Sequence, residues 1–405
     1  MLKTWLNQLE DMFSQMVEWR RHFHQNPELS FKEEETPKMI ASILESFGID
    51  VRRNVGGRGV VGMIRGGKPG KTIALRADFD ALPIQDEKDV PYKSKVDGVM
   101  HACGHDGHTA TLLAVAKVLQ DNRDQLAGNV VLIHQHAEEV CPGGAIAMIE
   151  DGCLEGVDAV FGTHLSTKVP IGFYTYRKGY VMAASDHFVI KIHGKGGHGA
   201  SPHETIDAIA IGTQVVTQLQ HIVSRQVNPL KSAVVSVGSF HAGKASNVIA
   251  DSAEISGTVR TFDEDVRELI KRELHVIVNS ICAAFHATCT INYESGYPAV
   301  YNHEEETEIF VQTMKNNFGE DLLIETDPSM GGEDFSYYLK EKPGMFFYTG
   351  ARNEKIGAGY PHHHPKFDID EQAMILAGKG FISIVHHYLH SEASKEGIKN
   401  EATIS

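Results

Sequence analysis

Apolar residues near the start of the chain recur every three or four positions. Trp5, Leu9, Met12, Met16, Trp19 and Phe23 therefore share one face, and the spacing predicts an opening amphipathic helix that Asn26-Pro27 ends. The pattern then shortens. GVVGMI (59–64), TIALRADF (72–79), NVVLIHQ (129–135), DAVFGTH (158–164) and GMFFYTG (344–350) are brief apolar runs of strand length. Between them, TATLLAVAKVLQ (109–120) and AIAMIEDG (145–152) carry helical periodicity. Strands alternating with helices predict an α/β fold with a mostly parallel sheet.

The rhythm changes at Ser185. DHFVIKIHG (186–194) reads as a strand, 205–226 as a helix, SAVVSVGSF (232–240) and 247–262 as two strands, 263–285 as a helix and TCTINYES (288–295) as a strand. That order is βαββαβ, the ferredoxin-like plan. The chain accordingly divides into a discontinuous first domain, 1–184 plus 298–390, interrupted by an inserted domain at 185–297. The polar stretch 391–405 reads as a disordered tail.

Composition narrows the partners. The 405 residues carry a net charge of −15, which argues against nucleic acid as the ligand. No apolar run approaches the roughly 20 residues that a membrane span needs, and the N-terminus lacks the apolar core of a signal peptide. Five cysteines, an odd number without scaffold spacing, point to a reducing compartment and a cytoplasmic protein.

The chemistry gathers where strands end. HACGHDGH (101–108) sets three histidines, a cysteine and an aspartate in eight positions, and Cys103 and His105 precede a helix expected to start near Gly107. HQHAEE (134–139) closes a strand with Glu138 and Glu139, His164 ends another, PHHHP (361–365) follows a third, and RADFDALP (76–83) adds Asp78 and Asp80 at the end of a further strand. Ligands of open α/β sheets bind beyond the carboxyl ends of the strands, so these groups would converge on one edge. Each has a duller reading: His164 as a hydrogen-bonded histidine, the glutamates as a solvated turn, PHHHP as a loop tip. All of these would have to hold together. Imidazole, carboxylate and thiolate suit zinc or a neighbouring first-row ion. Donors exceed the needs of one closed tetrahedral site and would serve two ions, which acidify water and polarise a carbonyl. Of two adjacent glutamates, one can ligate while the other takes a proton.

Two glycine-rich pieces compete. GGKPGKT (66–72) ends like a phosphate-binding loop, but Arg65 stands where the first glycine belongs and a strand follows, so it reads as a hairpin turn. GKGGHG (194–199) lacks the dinucleotide fingerprint and reads as a turn that presents His198.

RHFHQNPELSF (21–31), RADFDALP, HACGHDGHTA, QHAEE, GKGGHG, NVIAD (247–251), GTVRTFD (257–263), MGGEDF (330–335) and HHPKFD (363–368) together resemble the M20 metallopeptidase superfamily. The similarity is greatest to its aminoacylase, hippurate hydrolase and auxin-conjugate hydrolase branch. It implies a catalytic domain holding two divalent ions, drawn from manganese, zinc, cobalt or nickel, and a lid domain that also dimerises. It places metal ligands at Cys103, His105, Glu139, His164 and His363, the last by its HxPxF register, and the general base at Glu138. His198 corresponds to a lid histidine that stabilises an oxyanion, and Asn247 and Arg260 to substrate contacts. His136, where many relatives have proline, and Cys141-Pro142 depart from the pattern. The expected activity is hydrolysis of N-acyl amino acids by a homodimer or higher oligomer. The alternatives are a carboxypeptidase or dipeptidase with the same machinery, and a metal-binding protein without catalysis.

Overall fold

The structure, a computed structural model, describes residues 1–391; residues 392–405, nearly all of the stretch read as a disordered tail, lie outside the described residues. Two compact units divide the chain. The first comprises Met1–Val181, Tyr301–Asp327 and the chain from Asp334 onward; the second comprises Met182–Val300 and Pro328–Glu333. The short second segment differs from the sequence reading, which leaves 328–333 in the first domain. Ala183 N–H bonds to Ser329 C=O at 3.0 Å and draws it across.

The first unit is built on a sheet whose strands lie in the order Asp50–Val55, Gly59–Arg65, Ala127–Gln135, Lys68–Asp78, Ala159–Pro170, Gly344–Arg352, Tyr174–Tyr176 and Leu323–Glu325. The four strands from Ala127–Gln135 to Gly344–Arg352 run parallel, and the antiparallel pairings lie toward the edges. Ile73, Leu75, Val130, Leu132, Phe161 and Phe347 are fully buried along these strands. Parallel strands covered on both faces read as unbroken apolar runs, as these do. Each such side chain contributes about 1.5–3 kcal/mol by leaving water.

Three local expectations are corrected. The opening helix is two helices, Leu2–Asp11 and Phe13–Gln25, joined at Met12. The GGKPGKT segment is no hairpin, because Ala127–Gln135 lies between the strands that flank it. Its glycines serve a close backbone approach instead: a Cβ on Gly66 would stand 2.1 Å from the Gly128 carbonyl oxygen. Third, His164 does not end its strand. Pairing with Lys68–Asp78 stops at Gly162, but pairing with Gly344–Arg352 carries the strand on to Pro170.

In the second unit, Ala233–Ala242, Ser252–Thr261, Ala184–His193 and Thr288–Glu294 form an antiparallel sheet in that order. Ala208–His221 and Glu264–Ala284 are its helices. Phe188, Ile190 and Ile192 alternate with more exposed neighbours, the period-two pattern of a strand with one covered face. The connectivity is ferredoxin-like. The helix Ala208–His221 starts where Asp207 Oδ1 accepts the N–H groups of Ile209 and Ala210, a side-chain N-cap.

Candidate metal centre

Cys103 and His105 flank Gly104, which has φ +97° and caps the helix His105–Asp121. The left-handed glycine reverses the chain, so residues two apart can face one place. His105 is the first helical residue rather than preceding the helix. Its Nδ1 lies 3.0 Å from the Asp80 carbonyl oxygen and 3.1 Å from Asp80 Oδ1. A carbonyl can only accept, so Nδ1 carries a hydrogen, and when the ring gives up its second proton to a cation the lone pair falls on Nε2. That Nε2 is buried and makes no hydrogen bond. It lies 3.9 Å from Glu138 Oε2, 3.9 Å from Glu139 Oε1 and 3.7 Å from Asp78 Oδ2.

The same reasoning orients the other histidines. His164 Nδ1 lies 2.9 Å from the Leu165 carbonyl oxygen, so its lone-pair Nε2 faces Cys103 Sγ at 3.3 Å. His108 Nε2 accepts the Leu165 N–H at 2.9 Å and its Nδ1–H meets Asp78 Oδ1 at 2.6 Å, so no lone pair remains for an ion. His363, at φ +65°, places Nε2 3.4 Å from Glu139 Oε1. His362 was not singled out from sequence. Its Nε2 accepts from Thr167 N–H at 3.3 Å, and its Nδ1 lies 3.7 Å from Cys103 Sγ.

Cys103 therefore belongs to two sets of three whose donor atoms lie within 4.8 Å of one another: with His105 and Glu139, and with His164 and His362. The electrostatics ask for a cation. Burial pushes the Cys103 thiol well up, and Glu139, Glu138 and Asp78 push it further. Burial alone would lower His105, yet Asp78, Asp80 and Glu139 outweigh it and hold the ring up at about 10. Burial and the neighbouring His108 and His362 keep His164 neutral. An unbonded imidazole nitrogen, an unbonded Glu139 oxygen and a thiol among carboxylates fit divalent ions of intermediate softness.

A buried frame supports these groups. Arg76 bonds Asp78 Oδ2 at 2.6 Å, Gln135 Oε1 at 2.9 Å and Asp334 Oδ1 at 2.8 Å, tying three segments together. Arg20 bonds Asp106 at 2.8 Å and Asp368 at 2.6 Å, joining the Cys103 segment to the His363 loop. Arg20 and Arg76 went unrecognised from sequence, although Arg76 stands in RADFDALP and Arg20 immediately precedes RHFHQNPELSF. The signal for Arg76 is a basic residue within an otherwise apolar strand; Arg20, among Glu18, Arg21 and His22, carries no such mark.

His198, Asn247 and Arg260 belong to the second unit. His198 is exposed and pairs in register with Val248, and Gly199 N–H donates to the Asn247 carbonyl at 2.8 Å, so His198 and Asn247 share one turn region. Arg260, on the strand Ser252–Thr261, has a buried Nη1 that makes no hydrogen bond.

A mostly parallel sheet bearing a thiol, imidazole and carboxylate cluster along one edge defines a metallohydrolase class. Residues 74–383 match Peptidase family M20/M25/M40, and the chain belongs to that family. It is 59% identical over 384 residues to the YhaA protein of Bacillus subtilis (94% of this chain, 97% of that one). It is 47% identical over 378 residues to thermostable carboxypeptidase 2 of Saccharolobus solfataricus (93% and 95%). It is 48% identical over 298 residues to an N-acyl-L-amino acid amidohydrolase of Geobacillus stearothermophilus (73% and 80%). The crystal structure of the Bacillus subtilis YXEP protein, titled a dinuclear metal-binding peptidase of the M20 family, aligns with TM-score 0.81 at 35% identity over 94% of this chain and 99% of that one. Among the described residues no helix is long and apolar enough to cross a membrane.

Proposed function

We propose that this chain is a metal-dependent amidohydrolase that cleaves the amide of N-acyl amino acids to a carboxylate and a free amino acid. The observation that carries the reading is the Glu138-Glu139 pair beside the unbonded Nε2 of His105. Cys103, His105, Glu139, His164 and His363 would hold two divalent ions, with manganese, zinc, cobalt and nickel as candidates. Bound there, such ions supply Lewis acidity and a water of lowered pKa. Glu138 takes a proton from the attacking water and delivers it to the departing amine nitrogen. His362 donates to the Cys103 thiolate and fixes its direction. Asp80 holds the His105 tautomer, as partners of metal-binding histidines do. His198 stabilises the oxyanion, and Asn247 and Arg260 contact the substrate; the exposed position of His198 and the unbonded Nη1 of Arg260 suit those roles. The second unit acts as lid and dimerisation domain, and the protein works as a homodimer in the cytoplasm, a setting that the five free cysteines suit.

The kinship with a carboxypeptidase supports a second reading, a peptidase using the same residues. Reconstitution with each of the four metals, followed by free-amine release from N-acetyl amino acids and from dipeptides, tests both. The expected outcome is a higher kcat/KM on the N-acetyl panel. Turnover of peptides alone would favour the second reading, and metal binding without any turnover would leave a binding protein.

A further inference from the structure

The turn that carries Glu138 and Glu139 begins in an unusual backbone state. Ala137 is fully buried and has φ +52°. Alanine occupies the left-handed region only at a steric cost, so its surroundings must hold it there. Two hydrogen bonds do so. The Ala137 carbonyl accepts from Gly144 N–H at 3.1 Å, and the Ala137 N–H donates to Glu33 Oε1 at 2.9 Å. Glu33 is itself fully buried. The loop around it touches the same region twice more. Ser30 Oγ donates to Asp80 Oδ2 at 2.7 Å, and that oxygen also accepts Glu139 N–H at 3.0 Å. Phe31, another residue at positive φ (+62°), sets its ring edge-on to His136 at 6.0 Å between centroids.

Nothing in the proposed reaction uses Glu33. A buried carboxyl is expensive to keep without a partner, and Glu33 Oε2 makes no hydrogen bond. Burial pushes the group up to about 8, against the pull of its backbone bonds. It is therefore largely protonated at neutral pH, and beyond its own backbone N–H the carboxyl's hydrogen bond is the one Oε1 accepts from Ala137.

We propose that Glu33 is a positioning residue: by accepting the Ala137 N–H it holds the left-handed turn that aims Glu138 and Glu139. The inference rests on the reading of Glu138 as the base.

Three variants test it, each with melting temperature and metal content measured alongside kcat and KM. Glu33→Gln keeps a carbonyl acceptor at the same reach and is expected to retain near-normal kcat. Glu33→Leu keeps the volume and removes the acceptor. Its kcat is expected to fall about ten- to a hundredfold, as for a catalytic group displaced by an ångström or less, with KM and metal content nearly unchanged. Adding Ala137→Gly to Glu33→Leu should restore much of the lost kcat, because glycine adopts positive φ without steric cost. A merely structural Glu33 would not be repaired this way. Wild-type kcat in Glu33→Leu, or a loss that Ala137→Gly leaves untouched, overturns the proposal. Should Glu33→Leu not fold, Ala137→Val decides. A β-branched side chain resists this φ, so the same kcat loss is expected, and full kcat from folded Ala137→Val overturns the proposal. Glu138→Gln is run in parallel: full turnover there strikes the base assignment alone, and the glycine rescue still decides the role of Glu33.

Discussion

A buried thiol facing Glu138, Glu139 and Asp78 stays protonated unless something positive joins them. If that something is metal, Cys103→Ser should lose metal and activity together. Cys282, buried in the core of the second unit, should tolerate the same change. Metal analysis of both purified variants checks this, and full metal content with full activity in Cys103→Ser would remove the thiolate from the ligand set. The adjacent glutamates separate by the same measurement. Glu138→Gln should keep its metals and lose about 10²–10⁴-fold in turnover, the usual size of general-base catalysis. Glu139→Gln should lose metal as well, since its Oε1 is the oxygen beside both His105 and His363. Equal metal retention in the two variants, with an active Glu138→Gln, would refute the division of labour.

At the level of elements, the strand Ala127–Gln135 leads into the glutamate turn and carries a buried histidine on the way. Burial alone lowers His134 to about 3, whereas an unfolded histidine titrates near 6.5. The folded chain thus binds fewer protons between these values. The stability it gains from a neutral His134 is complete above pH 6.5 and shrinks as pH falls toward 3. Melting temperature should therefore drop on acidification from pH 7 to 5, and His134→Gln should flatten part of that slope. An unchanged slope in the variant would show that His134 is not the source. The strand-end clusters were legible because their donors are local: Cys103 with His105, and Glu138 with Glu139, each pair falling on one turn. Other features were hidden by distance along the chain. Arg20 meets Asp106 across 86 positions, and Glu33 meets Ala137 across 104, with no local periodicity to mark either. The roles of His362 and His363 depend on a positive φ and on the Thr167 N–H, which their identical side chains do not reveal. The supposed hairpin at 66–72 failed for a related reason: strand order is set by a segment that comes later in the chain.

For the whole molecule, the proposed dimer gives His198 a sharp test. If this histidine serves the partner's site, His198→Ala and Glu138→Gln are each nearly inactive alone. Mixed by random exchange, half the dimers would hold one intact site, giving roughly a quarter of wild-type activity across an isologous interface. No recovery after exchange has been demonstrated by mass would confine His198 to its own subunit. The inserted second unit also has a consequence in time. Gly344–Arg352 lies between Ala159–Pro170 and Tyr174–Tyr176 in the sheet, yet the ribosome adds it only after the second unit has been made. At ordinary synthesis rates that delay is roughly ten to thirty seconds. Throughout it the nascent chain already displays Cys103, His105, Glu139 and His164 but has neither the strand that braces His164 nor His363. If the proposed ligands hold, an ion captured in that interval would meet an incomplete set of donors, and the order of translation would make secure metal loading one of the last events in the birth of the enzyme.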